Sequence, residues 1–344
     1  MKNLYKQYDI KAPRYTSYPP MPFWNGDIDQ EAWLSSLKDS LVERQLADGY
    51  IHIPYCKQLC WYCGCNRVIS KDPEKGVSYV DLLIKEIEFY KNTVSHLKFR
   101  SLHFGGGTPN FLPASELERL LSAFAPLKVE SGFEGAVEID PRTCSREFLE
   151  VLSRHGFKRI SLGVQDFDPQ VQKGINRVQP FELVEKLLED ARQLGLDEVN
   201  LDLIWGLPHQ SVETIESTIK LVKKLRPDRI SYYSYAHMPE LFKHQRLIKS
   251  EHLLSGKAKR ELYEIGKELL SLAGYREIGM DHYALEGTSL ARAAKERRLK
   301  RNFMGYTDID STNLIGFGAS SISQVKGTFA QNAKDIPSYR EAIK

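Results

Sequence analysis

Six short apolar, β-branched runs recur along the chain, and helix-patterned stretches lie between them. The runs are YIHIP (50–54), SLHFGGG (101–107), GAVEID (135–140), RISLGVQ (159–165), VNLDLIWGLP (199–208) and RISYYSYA (229–236). Segments 79–90, 114–124, 145–156, 181–195 and 211–225 put most of their apolar residues on one helical face. Ser115 and Ser145 are placed to cap two of these helices, and Gly156 and Gly195 to close two. Strands that read as mostly continuous apolar runs, alternating with helices, predict a parallel sheet. Two α/β architectures satisfy this, an open doubly wound sheet and a full or partial barrel. Six repeats favour a partial (β/α)6 TIM-like barrel.

Residues 1–48 then form an N-terminal arm, 49–240 the α/β core and 241–344 a looser α/β extension. The arm's PRYTSYPPMPFW stretch is proline-rich and reads as extended chain. A net charge of +3 gives no argument for nucleic acid or an anionic membrane surface. No segment approaches the run of about 18 apolar residues that a membrane span requires. The start, MKNLYKQYDIKAPRYTSYPP, has no apolar core of a secretory signal, so the expected location is the cytoplasm.

Against that background the cysteines stand out. Cys56, Cys60, Cys63 and Cys65 fall within ten residues, just past the first predicted strand, and the fifth, Cys144, looks incidental. Thiolates favour zinc, Cu(I) or iron–sulfur clusters. Structural zinc sites usually use two Cys-x2-Cys pairs well apart in sequence, whereas Cys-x3-Cys-x2-Cys lets one loop wrap three corners of a cubane cluster. Zinc and reactive surface thiols are the alternatives. The other unusual residues, GGG (105–107), Glu138, Gln165 and Asp202, also lie toward the C-terminal ends of strands, the rim that carries function in barrels and open sheets alike. There GGGTP brings unhindered backbone close to a ligand or makes a tight turn. The three polar side chains either bind a ligand or bond to neighbouring loops.

Cys56-x3-Cys60-x2-Cys63 resembles the signature of the radical S-adenosylmethionine (SAM) superfamily. PRYTSYP (13–19), HIPYCKQLCWYCGCN (52–66), HFGGGTPNFL (103–112), EIDPR (138–142), GVQDF (163–167), NLDLIWGLP (200–208), YAHMP (235–239), GMDHY (279–283) and RNFMGYT (301–307) narrow it. Together, and in this order, they resemble the oxygen-independent coproporphyrinogen III oxidases (dehydrogenases) from about residue 3 to about residue 333. The resemblance implies a radical SAM barrel and a [4Fe-4S] cluster on Cys56, Cys60 and Cys63. It implies SAM contacts at Tyr50, Tyr62, Gly106, Gly107, Thr108, Glu138, Gln165, Arg177, Asp202, Ala236 and Ile322, with room for two SAM molecules. Arg177 is placed to pair with a methionine carboxylate or to lie solvated on the surface. Cys65, surplus to the cluster, is implied in catalysis near the substrate or SAM, since the related haem chaperones carry an aromatic residue there. Its alternative is a small buried hydrophobe.

The implied reaction is oxidative decarboxylation of two propionates of coproporphyrinogen III to vinyls in haem biosynthesis. An electron donor such as flavodoxin or ferredoxin would serve a monomer. Arg14, Arg246, Lys300 and Arg301 are candidate partners for the propionates, although most of KERRLKR (295–301) reads as a solvated helix end. Asn313 stands where the family tends to have Asp. The resemblance also implies a helical C-terminal domain beyond Lys344, so this chain is expected to bind cluster and SAM but to turn over a large porphyrinogen less efficiently. The rivals are a haem chaperone of the same superfamily and a haem-degrading methyltransferase. Cys65, PRYTSYP, RNFMGYT and the lack of an HNxxYW stretch argue against both.

Overall fold

The computed structural model describes residues 21–344 apart from 25, 27, 45 and 309–312. The PRYTSYP motif and Arg14 lie outside the described residues. Six strands pair in parallel and in chain order: β1 (Ala47–Ile53), β2 (Phe99–Gly106), β3 (Glu134–Ile139), β4 (Phe157–Gln165), β5 (Glu198–Trp205) and β6 (Arg229–Ser234). Helices Glu74–Thr93, Ala114–Phe124, Arg146–Arg154, Phe181–Gln193, Val212–Leu225 and Gly256–Leu272 follow them in turn. This is the partial (β/α)6 barrel expected from the sequence. Strand Asn313–Phe317 joins β1 on its free side, parallel to it, and a hairpin of Ile322–Val325 and Thr328–Gln331 extends that edge. At the other edge, His282–Leu285 pairs antiparallel with β6 and carries Tyr275–Gly279 outside it. The strand order is linear, so the barrel stays open among the described residues.

The strands are not uniformly apolar, which corrects the expectation drawn from their composition. One row, including Ile51, Leu102, Phe104, Val137, Ile160, Leu162, Leu201 and Ile230, is buried in a single core with the helices. Each such side chain contributes about 1.5–3 kcal/mol on burial. The alternate row is polar, and its members bond to one another across strands. Asp48 accepts from the Ser101 hydroxyl at 2.6 Å and from Arg100 at 3.0 Å. Asn200 donates to Ser161 at 2.8 Å and to Asp202 at 2.9 Å. A sheet whose second face encloses a ligand cavity keeps this period of two.

Helix boundaries follow local chemistry. Ser145 accepts the Phe148 N–H at 3.2 Å, as expected of an N-cap. Ser115 does not cap; its helix starts at Ala114 behind Pro113, whose fixed φ sets the entry without a side-chain bond. Gly156 and Gly195 adopt φ of +80° and +78° just past their helices. Asn313 is buried, accepting from Ser40 Oγ at 2.5 Å and donating to the Leu46 carbonyl at 3.1 Å. An amide serves both partners without titrating.

Glu86, on the helix after β1, anchors the C-terminal strands. Its carboxylate accepts from the Gly318 N–H (2.8 Å), the Asn332 amide (2.7 Å) and the Tyr339 hydroxyl (2.6 Å). Glu86→Ala leaves the buried Gly318 N–H and Tyr339 hydroxyl unpaired, while the Asn332 amide keeps the Gly318 carbonyl at 3.0 Å, so urea unfolding is expected to show a loss of about 3 kcal/mol. An unchanged midpoint would contradict this assignment.

Candidate active site

The cysteine loop leaves the end of β1 and is closed at its base by two short parallel strands, Tyr55–Cys56 and Val68–Ile69. Its backbone is tied outward. Trp61 N–H donates to the Ile175 carbonyl at 2.9 Å, and the Asn176 amide to Leu59 O at 2.8 Å. Gln245 donates to Tyr62 O at 3.0 Å, and His244 Nε2 lies 2.7 Å from Cys63 O. Trp61 and Tyr62 pack on a small apolar cluster of Val171, Ile175, Leu207, Tyr235 and Ile248. With its carbonyls taken, the loop turns all four thiols onto one cavity of about 210 Å³ at the C-terminal rim of the barrel.

Most of the residues expected to bind SAM meet there. Tyr62, Gly106, Gly107, Thr108, Glu138, Gln165, Arg177 and Asp202 line the same cavity. Tyr50 and Ile322 line a neighbouring cavity of about 300 Å³ that shares Glu138 with the first. Ala236 is exposed and lines neither; its carbonyl accepts from Gln245, the residue that also holds Tyr62. Cys144 lies outside both linings. Of the cations proposed for propionates, Arg246 is exposed and donates to Pro239 O, and Lys300 is exposed. Arg301 is half-buried with its guanidinium 4.7 Å over the Tyr306 ring, and its Nε and Nη1 have no hydrogen-bond partner among the described residues.

The glycines answer to their neighbours. Gly106 has φ +116°, and a Cβ there would stand 2.8 Å from the His52 ring. A Cβ on Gly107 would stand 2.8 Å from the Pro54 carbonyl oxygen. Backbone thus approaches the base of the cysteine loop more closely than any side chain permits. Gly106 N–H also donates to Glu138 Oε2 at 3.3 Å, and His103 Nε2 lies 3.3 Å from Glu138 Oε1.

The electrostatics centre on Cys60. Arg177 Nη1 and Arg142 Nη2 lie 3.4 and 3.5 Å from its sulfur. Both guanidiniums also reach Asp140, Arg142 at 2.7 Å and Arg177 at 3.4 Å. Burial alone would raise the Asp140 carboxyl, but Arg177 and Arg142 outweigh it and hold it below the usual range. Arg177 is therefore not a solvated surface arginine. The Cys65 thiol, donating to Cys63 sulfur, holds the Cys63 thiol below its ordinary range, aided by Arg67 and Arg177. The same contact pushes Cys65 up. Burial raises Cys56 to about 11, against the Thr108 hydroxyl 3.2 Å away. Burial, then the Glu138 charge, raises Asp202 to about 6.

Asp140, Arg142, Arg67, His52 and His103 are among the lining residues not singled out from sequence. A period-two reading of YIHI and SLHF would have found the histidines; Asp140 and Arg142 sat unremarked inside EIDPR.

The donor set fits an iron–sulfur cluster: three thiols on one loop facing a shared cavity, with two guanidiniums and a hydroxyl offsetting thiolate charge. Among the described residues, no three His, Cys, Asp or Glu are grouped to hold a single metal ion.

A radical SAM superfamily profile matches residues 50–222. The chain is 42% identical to the oxygen-independent coproporphyrinogen III oxidase of Pseudomonas aeruginosa, over 99% of this chain and 75% of that protein. It is 39% identical to the same-named protein of Bradyrhizobium diazoefficiens, over 97% and 74%. The solved structure of the Escherichia coli coproporphyrinogen III oxidase, a radical SAM enzyme, superposes with a TM-score of 0.90 at 38% identity, covering 94% of this chain and 74% of that one. Sequence, fold and the arrangement of the cysteine cavity agree, and the chain belongs to the oxygen-independent coproporphyrinogen III oxidase family of radical SAM enzymes.

Proposed function

We propose that this chain catalyses oxygen-independent oxidative decarboxylation of two propionates of coproporphyrinogen III to vinyls, giving protoporphyrinogen IX in haem biosynthesis. The observation that carries it is the single cavity into which Cys56, Cys60, Cys63 and the surplus Cys65 turn beside Glu138, Gln165, Arg177 and Asp202. Residues 49–240 would supply this core, and 241–344 an extension built on both of its edges.

Cys56, Cys60 and Cys63 would hold a [4Fe-4S] cluster, and the polar side chains of the cavity would hold SAM on it. When bound, the pair supplies one-electron cleavage of SAM and removal of a hydrogen atom from the propionate β-carbon. Arg142 and Arg177 offset the charge on Cys60 and keep Asp140 ionised. Tyr50 and Tyr62, raised by burial, stay protonated at neutral pH and form neutral walls. His52, lowered by burial, stays a neutral imidazole. Cys65 would stand beside Cys63 as the thiol surplus to the three ligands. A second SAM would occupy the neighbouring cavity at Tyr50 and Ile322; Tyr62, expected to help hold it, lines the first cavity instead. We read the protein as a cytoplasmic monomer reduced by a flavodoxin or ferredoxin. No described helix is long and apolar enough to cross a membrane.

Asp202 gives this reading a pH signature. Its folded value of about 6 means that it becomes an acceptor-only carboxylate, suited to ribose hydroxyls, as the pH rises through 6. SAM affinity, followed by equilibrium dialysis, is expected to weaken severalfold between about pH 7.5 and about pH 5.5, and to be nearly flat in Asp202→Asn. A parent profile as flat as the variant's would remove Asp202 from the site.

The function is tested by anaerobic reconstitution followed by coproporphyrinogen III, SAM and a reductant. Divinyl product with 5′-deoxyadenosine and methionine is expected. Stoichiometric haem binding without product would assign the chain to the chaperones instead.

A further inference from the structure

The cluster loop presents an outer face that the reaction chemistry leaves unused. Val68 and Ile69 form the strand paired with Tyr55–Cys56, in a register that sets Ile69 opposite Cys56. Both side chains point to solvent, at 38% and 42% exposure, unusual for adjacent β-branched residues. Lys57, next to Cys56 in the chain, and Lys71, two residues past Ile69, bound a cleft of about 360 Å³ together with Gln58, Asp140, Arg142 and Thr143. Lys57 and Lys71 are exposed, and no hydrogen bond or ion pair engages either ammonium among the described residues. Asp140 is neutralised from within by Arg142 and Arg177, so the cleft presents net positive charge.

This cleft adjoins the cluster cavity. Gln58, Asp140 and Arg142 line both spaces, and Arg142 reaches from the cleft to within 3.5 Å of Cys60 sulfur while donating through Nη1 to Gln58 Oε1 at 3.1 Å. One guanidinium separates the outer surface from a cluster ligand.

We propose that the Val68–Ile69 strip and the Lys57/Lys71 cleft form the docking surface for an acidic one-electron carrier protein. The apolar strip supplies the centre of the contact, and the lysines receive carboxylates from the carrier's rim. Electron transfer needs close approach and no bond making: the reduced carrier loses one electron, the cluster gains it, and no proton has to move. This inference rests on the reading of Cys56, Cys60 and Cys63 as cluster ligands.

The test uses reduced flavodoxin as the probe and the anaerobically reconstituted full chain. Stopped-flow bleaching of the cluster absorbance gives the second-order rate constant. For the Lys57→Glu/Lys71→Glu protein this constant is expected to fall about 10- to 100-fold at low ionic strength and to approach the parent's at high salt. Calorimetric titration with oxidised flavodoxin should show weakening in the same direction. Dithionite should reduce every protein to the same extent, reporting intact clusters. Lys158→Glu, at the N-terminal end of β4 and so at the opposite rim, should behave as the parent. Parent-like rates in the double variant, or equal slowing by Lys158→Glu, would overturn the docking surface while leaving the functional reading standing. A parent protein that takes up no cluster would overturn that reading and this inference with it.

Discussion

Cys60→Ala protein is expected to fold, to lack iron–sulfur absorbance after reconstitution and to yield no 5′-deoxyadenosine above background. Cys65→Ala is expected to retain iron at the parent's level. The two sulfurs face one cavity, yet their surroundings differ. Cys60 is buried between two guanidiniums, which suits a thiolate that stays bound to metal. Cys65 is exposed, and its N–H donates to the Cys63 sulfur at 3.4 Å, which suits a residue that accompanies a ligand. Cys60→Ala removes only one buried atom, a folding cost of about 1–2 kcal/mol, so loss of iron there reports ligation and not collapse. Iron analysis together with circular dichroism decides the matter. Equal iron loss in both variants would contradict the division into three ligands and one free thiol.

Arg177→Met is expected to carry the largest stability cost of any single change at the site. Arg177 is 6% exposed, donates to the Gly163 carbonyl through Nε at 3.1 Å, and faces both Asp140 and Cys60. Removing one partner of a buried ion pair costs about 3–5 kcal/mol; because Arg142 still reaches Asp140, about 3 kcal/mol is the expectation. Adding Asp140→Asn should recover part of the loss, since the uncompensated charge disappears. The pH dependence follows the sign of the Asp140 shift. Its carboxyl is depressed in the folded protein, so the stabilisation is complete above the ordinary carboxylate range and lost as the pH falls below it. Arg177→Met should lose that contribution, giving a stability profile flatter through acid. Denaturant titrations between neutral and acid pH measure both effects. Parent-like stability at neutral pH would show that Arg177 is dispensable to the ion-pair network.

Much of this arrangement is legible in the sequence because it is local. The six β runs and the helices between them appear where apolar periodicity puts them, and the cysteine spacing states its own chemistry. What escaped depends on contacts between distant segments. Strand Asn313–Phe317 is a short glycine-containing run whose partner, β1, lies far back in the chain. Nothing local distinguishes it from a loop. The polar inner row was hidden by averaging: Tyr50, His52 and His103 alternate with isoleucine and phenylalanine, so each run as a whole reads as apolar. Arg177, legible as a charge, takes its meaning only from Asp140 and Cys60, which the fold brings to it.

The most direct test of the account follows the hydrogen. Coproporphyrinogen III deuterated at the propionate β-carbons, turned over anaerobically with SAM and a reductant, should give divinyl product and deuterium in 5′-deoxyadenosine, read by mass spectrometry. Unlabelled 5′-deoxyadenosine alongside unchanged porphyrinogen would contradict the account.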